Sequence, residues 1–414
     1  MTQRTPQRKA VLAAVMIGAT LAATAACTAN TEPAQERKPQ HPGERHQEGV
    51  RDGHRDAPPP APSAAGGGQD AQRPFTLVAS GDVLPHSSII DRASADAGGD
   101  GYDFVPMLKG VEPVVAKADL AICHMETIYG EDGDYTGYPS FKSPPHIARA
   151  LKATGYDSCS TASNHTLDDG EAGVSRTLSA LDKAGVKHAG SGRTADEGKS
   201  PAWLRAGGAK VAQLAYTYGT NGYPPPKDKP WTVNLMERER IIADARDARK
   251  AGADVVVVSV HWGTEWQDEP DSRQLSLGKQ LTGSRSQGRP DIDLILGTHA
   301  HVPQAYEKVN GTWVIYGMGD QIAGDMINHE GANDPRGNQG TIGRFTFAPP
   351  AKSGGRWKVD MAEFIPQWFN TGTGRVTNLN AALDDGEDVA DIRDRIRRIV
   401  LSRGAGKDGL VMGK

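Results

Sequence analysis

Five stretches of the chain gather the side chains that metal and acid–base chemistry draw on: Gly81-Asp82, Cys123-His124-Met125-Glu126-Thr127, Ser163-Asn164-His165-Thr166-Leu167-Asp168, His261-Trp262-Gly263-Thr264-Glu265 and Gly297-Thr298-His299-Ala300-His301. Each ends or follows a short apolar run, and in open α/β sheets sites assemble where strands end. Oxygen and imidazole donors suit divalent ions such as Mn²⁺, Zn²⁺ or Fe²⁺ rather than copper, which prefers sulfur. Asp82, Glu126, Asn164, His261, His299 and His301 are therefore the expected metal ligands. A carboxylate bridging two ions gives a two-metal centre, which clamps a substrate oxygen and acidifies a bound water. His165 need not be a ligand and is expected to act as general acid, with Asp168 capping or orienting its turn. His299 and His301 alternate in what reads as an extended segment and would share a face.

Taken singly, each residue has a plainer reading. Asp82 could cap a turn or helix, Asn164 could sit in a turn, and His261 could be a satisfied interior histidine. The coincidence at five strand ends favours the joint site. His124 is expected to line the pocket, and Glu265 to accept a hydrogen bond from a ligand histidine. His86, His146, His188 and His329 fall in loops and read as solvated or structural. Cys123 and Cys159 read as free, buried thiols, since a bridge between neighbouring strands is geometrically awkward.

The elements that must position these groups alternate. Phe75–Ser80, Asp119–His124, Asp157–Ser163, Asp254–His261 and Asp293–Leu296 read as strands, with Ala202–Tyr218 a hairpin about Gly207-Gly208. Lys109–Ala118, Pro145–Thr154, Glu171–Gly185, Leu235–Ala251 and Gln274–Thr282 read as helices. The run Val255–Val258 marks a strand buried on both faces. Val302–Gly317 and Thr341–Phe369 read as antiparallel strands, and Val389–Arg403 as a closing helix. The pattern is one α/β domain with a two-sheet core over residues 75–370, followed by a C-terminal extension, 371–414, carrying that helix.

The chain of 414 residues is long enough for such a core, its 3 Cys exclude a disulfide scaffold, and its net charge of −4 argues against a nucleic-acid partner. Arg4, Arg8 and Lys9 precede a small, apolar run from Ala10 to Ala26, the pattern of an export signal over residues 1–26. Thr24-Ala25-Ala26-Cys27 resembles a bacterial lipobox, which makes Cys27 the expected lipidation site; plain secretion is the alternative. Residues 27–74 hold no aromatic residue and one large aliphatic, Val50, so they should form a disordered tether.

The ordered motifs resemble calcineurin-like metallophosphoesterases. Within them, Ala118-Asp119-Leu120 leading to Met125-Glu126-Thr127, and Ser163-Asn164-His165-Thr166-Leu167-Asp168-Asp169-Gly170, are similar to the CapA branch of capsule and poly-γ-glutamate synthesis proteins. That resemblance implies a four-layer α/β/β/α sandwich with two divalent ions at the strand ends and Glu126 bridging them. It further implies an anionic extracellular polymer such as poly-γ-glutamate as substrate and a capsule synthesis complex as context, while the lipid anchor expected at Cys27 implies attachment at the extracellular face of the membrane. Metal-dependent cleavage or transfer at an amide, phosphoester hydrolysis, and a non-catalytic polymer-binding role are the three functions it leaves open. The chain departs from the pattern in places. Asp82-Val83-Leu84 lacks the histidine of the usual Asp-x-His motif, which would leave one ion tight and one loose. Glu126 replaces an aspartate, His124 stands where the branch has asparagine, and Tyr316-Gly317-Met318-Gly319-Asp320 replaces its usual "YSLGN", placing Asp320 at the rim or against substrate.

Overall fold

The four valines of Val255–Val258 divide between two cores. Val255 and Val257 pack with Phe75, Leu77, Leu120 and Leu294 between two sheets, while Val256 and Val258 pack outward against Ile241 and Ala245 of the helix Arg238–Lys250. This is the two-residue period of a strand buried on both faces. The computed structural model describes residues 72–352 and 355–414. The segment read as an export signal, the expected lipidation site Cys27 and nearly all of the segment read as a tether lie outside the described residues.

The first sheet runs in the order Arg375–Asn378, Lys358–Asn370, Gln339–Ala348, Phe75–Val83, Leu120–Met125, Ser158–Ser160, Lys187–Ala189. From Phe75–Val83 onward these strands are parallel, and the preceding ones are antiparallel. The second sheet runs Tyr306–Val309, Thr312–Ile315, Leu294–Thr298, Val255–His261, Ala209–Thr217, Ala202–Ala206. Its four central strands are parallel. The outer face of the first sheet is covered by Ser87–Asp96, His146–Thr154 and Gly170–Ala184, through Ile89, Ile147, Leu151 and Leu181. Arg238–Lys250 and Ser272–Gly283 cover the second sheet through Ile241, Ala245 and Leu281. The result is the four-layer α/β/β/α sandwich. Each parallel strand needs a crossover helix to return, and helices on opposite outer faces leave the strands' carboxyl ends together at one edge.

Several sequence readings are corrected. Within Lys109–Ala118 only the single turn Glu112–Val115 is helical, and another single turn, Val105–Leu108, precedes the segment; each has a proline in its first turn. Between them a Cβ on Gly110 would lie 2.1 Å from the carbonyl oxygen of Val376, so the chain passes too closely there for a continuous helix. Thr312–Ile315 pairs in parallel with Leu294–Thr298, not only antiparallel with Tyr306–Val309. Residues 371–414 are no appendage. Arg375–Asn378 and Leu410–Met412 both pair with Lys358–Asn370, and the helix Ala390–Val400 buries Ile396 and Val400 in the inter-sheet core. Among the described residues no helix is long and apolar enough to cross a membrane.

Cys123 and Cys159 are joined by a disulfide rather than free. They are register partners on the adjacent parallel strands Leu120–Met125 and Ser158–Ser160. Their Cα atoms are 4.4 Å apart, at the short end of the span a bridge tolerates.

Candidate metal centre

Close packing at glycine sets the first ligand. A Cβ on Gly81 would fall 1.7 Å from the Gly319 carbonyl oxygen, so only glycine lets the strand Phe75–Val83 run against the segment entering Asp320–Ile322. The next residue, Asp82, donates its N–H to that same oxygen at 3.1 Å. The two strands are parallel there, with Asp82 opposite Asp320. From the other sheet, the chain leaves Leu294–Thr298 through a tight turn. His299 and His301 have φ of 95° and 59°, left-handed values that a non-glycine residue adopts at a cost. The segment is therefore not extended. The turn lets the His299 N–H donate to Asp82 Oδ2 at 2.9 Å, tying the sheets together at the site.

Around this tie the groups converge. Ligand atoms of Asp82, His124 and His261 lie within 4.8 Å of one another, as do those of Glu126, His299 and His301, and those of Asp82, His301 and Asp320. The imidazoles form an arc, with ring centroids 4.8 Å apart for His124–His261, 4.7 Å for His261–His299 and 5.9 Å for His299–His301. Asn164 Oδ1 lies 2.8 Å from His261 Nε2, and Glu126 Oε1 lies 3.6 Å from the same nitrogen. All eight of these side chains are buried.

Burial without partners distinguishes this cluster from a structural polar network. Asp82 Oδ1, both oxygens of Glu126, His124 Nε2, His299 Nδ1 and Asp320 Oδ2 are buried and have no hydrogen-bond partner. Leaving such groups unmatched is costly, and the cost vanishes if a cation takes the electron pairs. Burial, then the Asp320 carboxylate, pushes the Asp82 pKa well above the usual range. Burial and then Asp82 do the same to Glu126. Burial also raises Asp320. Among the histidines, burial and neighbouring imidazoles hold His261 and His299 well below the ordinary value, and burial with the charge on His301 takes His124 down to about 3. Burial alone would lower His301 too, but Asp320, Glu126 and Glu265 raise it well above its usual value. Several carboxylates and several neutral imidazoles in one dry pocket fit a pair of hard-to-borderline divalent cations.

Neighbouring groups orient the imidazoles, as ligand histidines require. His261 Nδ1 meets Thr298 Oγ1 at 3.0 Å, His124 Nδ1 meets Ser160 Oγ at 2.7 Å, and His301 Nδ1 meets Asp320 Oδ1 at 3.0 Å. His165 stands beside the cluster. Its Nδ1 bonds to Asp168 Oδ2 at 2.7 Å, and the same oxygen accepts the Phe141 N–H at 2.7 Å. Asp168 thus holds the ring and the aromatic wall against it in one grip, with Phe141 edge-on to His165 at 4.7 Å.

The structure brings all six expected ligands together, with His165 and Asp168 adjacent. It also draws in His124 and Asp320, which sequence reasoning assigned to the lining and the rim. Their free, buried ligand atoms face the cluster itself. Asp320 supplies a carboxylate beside Asp82, where the missing Asp-x-His histidine pointed to a weakened position. Glu265 makes no hydrogen bond to a histidine; its Oε1 is 3.9 Å from His299 Nε2, and its side chain is 42% exposed. His146, His188 and His329 stand apart from the cluster, and the His86 ring packs edge-on against Phe141 at 5.0 Å. Tyr218, whose ring lies 4.5 Å from that of His299, and Asn221, which accepts from Asn164 Nδ2 at 3.3 Å, were not foreseen. Both sit on a loop whose position depends on the neighbouring strand, and no local sequence signal marks them.

This four-layer sandwich, with histidine, carboxylate and asparagine side chains converging at adjoining strand ends, defines an α/β/β/α protein with a candidate metal centre. The chain belongs to the family of the bacterial capsule synthesis protein PGA_cap, whose pattern matches residues 76–325. It is 29% identical over 177 residues to the capsule biosynthesis protein CapA of Bacillus anthracis, covering 42% of each chain. It is 25% identical over 265 residues to the PGA biosynthesis protein CapA of Bacillus subtilis (strain 168), covering 61% of this chain and 66% of that one. A "probable polyglutamine synthesis accessory protein" of Mycobacterium tuberculosis is 26% identical over 216 residues, 49% of this chain and 55% of its own length. The matches thus span less than two thirds of these relatives. Among solved structures, the calcineurin-like phosphoesterase YfkN of Bacillus subtilis aligns with a TM-score of 0.43 at 16% identity, over 79% of this chain and 99% of that one.

Proposed function

We propose that the protein is an exported, membrane-anchored, metal-dependent hydrolase or transferase that processes an anionic capsule polymer, with a γ-glutamyl amide as the bond it acts on. The observation that carries this reading is the set of buried, unpartnered ligand atoms contributed by both sheets. Asp82, Glu126, Asn164, His261, His299 and His301 would hold divalent metal, with His124 and Asp320 completing the donor set. When bound, such ions polarise a carbonyl and supply a hydroxide-like nucleophile at neutral pH. His165, held by Asp168 through Nδ1, keeps Nε2 available to hand a proton to the departing amine. Phe141 and Tyr218 wall the pocket and limit water around that transfer. Family membership and the printed roles of the relatives in capsule, PGA and polyglutamine synthesis support the choice of polymer.

Export is supported by the basic and apolar start of the chain and by the buried Cys123–Cys159 bridge, a bond that persists in oxidising compartments. Lipidation at Cys27 would hold the domain at the outer membrane surface, within reach of a capsule synthesis complex.

The test is elemental analysis of the purified full chain, followed by incubation of metal-loaded protein with poly-γ-glutamate and, separately, with an aryl phosphate. Metal in the wild type, its loss in a folded His261→Ala variant, and shortening or transfer of the polyamide are the expected results. Cleavage of the aryl phosphate alone would replace the amide reading with a phosphoesterase. Bound metal with turnover of neither would leave a polymer-binding accessory role in its place.

A further inference from the structure

His86 is the residue immediately before the helix Ser87–Asp96, four positions after Asp82. Its ring is clamped. Nδ1 lies 3.0 Å from the Ala323 carbonyl oxygen and 3.2 Å from that of Leu84, and the His86 main-chain N–H also donates to Ala323 at 3.2 Å. Carbonyl oxygens only accept, so Nδ1 carries the proton and Nε2 carries the lone pair. Among the described residues Nε2 has no protein partner and is not sealed off from solvent, and the residue keeps part of its surface exposed. Burial, and then the charges on His301 and His165, take its pKa down to about 4, so the lone pair persists near neutral pH.

The surroundings place this acceptor at the edge of the metal centre. Leu84, Phe141 and Ala323, which hold the ring, pack in one apolar cluster with Trp266, Ala300 and Met326. Ala300 lies between His299 and His301, and the Trp266 ring is 6.0 Å from His301. Phe141 meets the edges of both His86 and His165, at 5.0 Å and 4.7 Å. Two imidazoles therefore flank one phenyl ring. His165 is tied to a carboxylate, and His86 is tied to two carbonyls. His86 belongs to none of the ligand groups, so it is not a substitute for the missing Asp-x-His ligand.

An outward lone pair discriminates between substrates. An amide N–H satisfies it, whereas a phosphate dianion presents only oxygen lone pairs and is repelled. Resting on the function proposed above, we infer that His86 is a specificity-determining residue whose Nε2 accepts a hydrogen bond from an amide N–H of the bound substrate, biasing the site toward amides over phosphate esters.

The test compares a γ-glutamyl tripeptide with its analogue N-methylated at the amides, by calorimetric titration of the Mn²⁺-loaded full chain and of His86→Ala and His86→Gln variants. N-methylation is expected to weaken binding to the wild type about tenfold, the worth of one hydrogen bond. It should cost His86→Ala little, and the Gln carbonyl should restore part of the discrimination. Phenyl phosphate should bind His86→Ala more tightly than the wild type, and metal content should be equal in all three. The same N-methylation cost in wild type and His86→Ala, loss of metal from the variants, or failure of the tripeptide to bind the wild type would each overturn the assignment. Because binding is read without turnover, an inactive but discriminating protein would sink the enzymatic proposal while sparing this one.

Discussion

Asp82 and Asp320 face each other across two parallel strands, both buried, with Asp82 Oδ1 and Asp320 Oδ2 lacking any hydrogen-bond partner. The other oxygen of each is spent on the opposite sheet's turn: Asp82 Oδ2 on the His299 N–H and Asp320 Oδ1 on His301 Nδ1. Two apposed carboxylates in a dry pocket repel unless a cation or a shared proton lies between them.

Asp320→Asn removes one of those charges without changing shape. In the metal-free chain the variant should melt at a lower temperature, because Asp82 already holds its proton while His301 Nδ1 loses the charged acceptor 3.0 Å away. Its metal affinity should fall roughly ten- to a hundredfold, the usual cost of losing a ligand or the carboxylate that orients a ligand histidine. Thermal melts with chelator, paired with Mn²⁺ or Zn²⁺ titration, read both quantities; unaltered affinity would remove Asp320 from the centre.

The raised carboxylates also set a pH dependence. Asp82 and Glu126 are held well above the usual carboxylate range, so the metal-free fold is favoured below the unfolded carboxylate value and loses that contribution as pH rises through the folded values. A cation must displace those protons, so uptake should release protons and affinity should climb with pH. His124, already neutral with a pKa of about 3, should contribute none of them. Calorimetry in buffers of different ionisation enthalpy counts the protons, and pH-independent binding would contradict this account.

The Cys123–Cys159 bridge lies one register position from the pair His124 and Ser160, whose side chains bond at 2.7 Å. It closes a loop with a sequence separation of 36, for which chain entropy gives a stabilisation of about 4 kcal/mol. A Cys123→Ser, Cys159→Ser double variant should melt well below the wild type and bind metal more weakly, since the strands that aim His124 are no longer pinned. Intact-mass analysis of the alkylated, unreduced wild type should show two cysteines unavailable to the reagent.

His165→Ala should leave metal content unchanged while lowering turnover of an amide probe by about 10²–10⁴, the range typical of a general acid. A probe whose leaving group needs no proton should be far less affected. Asp168→Asn should show a smaller loss and a shifted pH profile, because it spoils the tautomer rather than the acid. Equal losses on both probes would assign His165 to structure instead.

Much of this was already written in the order of residues. The two-sided burial of Val255–Val258, the helix Gly170–Ala184 and the six candidate ligands at strand ends follow from periodicity and from the tendency of polar groups to collect where parallel strands end. Such signals are local, and each strand carries its own. What only tertiary structure decided depends on neighbours distant in the chain. Register set Cys123 against Cys159, and the left-handed turn at His299 and His301 was imposed by a bond to a residue more than two hundred positions earlier. Asp320 came to lie opposite Asp82, and His86 against the carbonyls of Leu84 and Ala323, because of which strands lay beside them. No single stretch of sequence encodes those adjacencies; they arise when two sheets, each satisfied within itself, are pressed together over a shared apolar core.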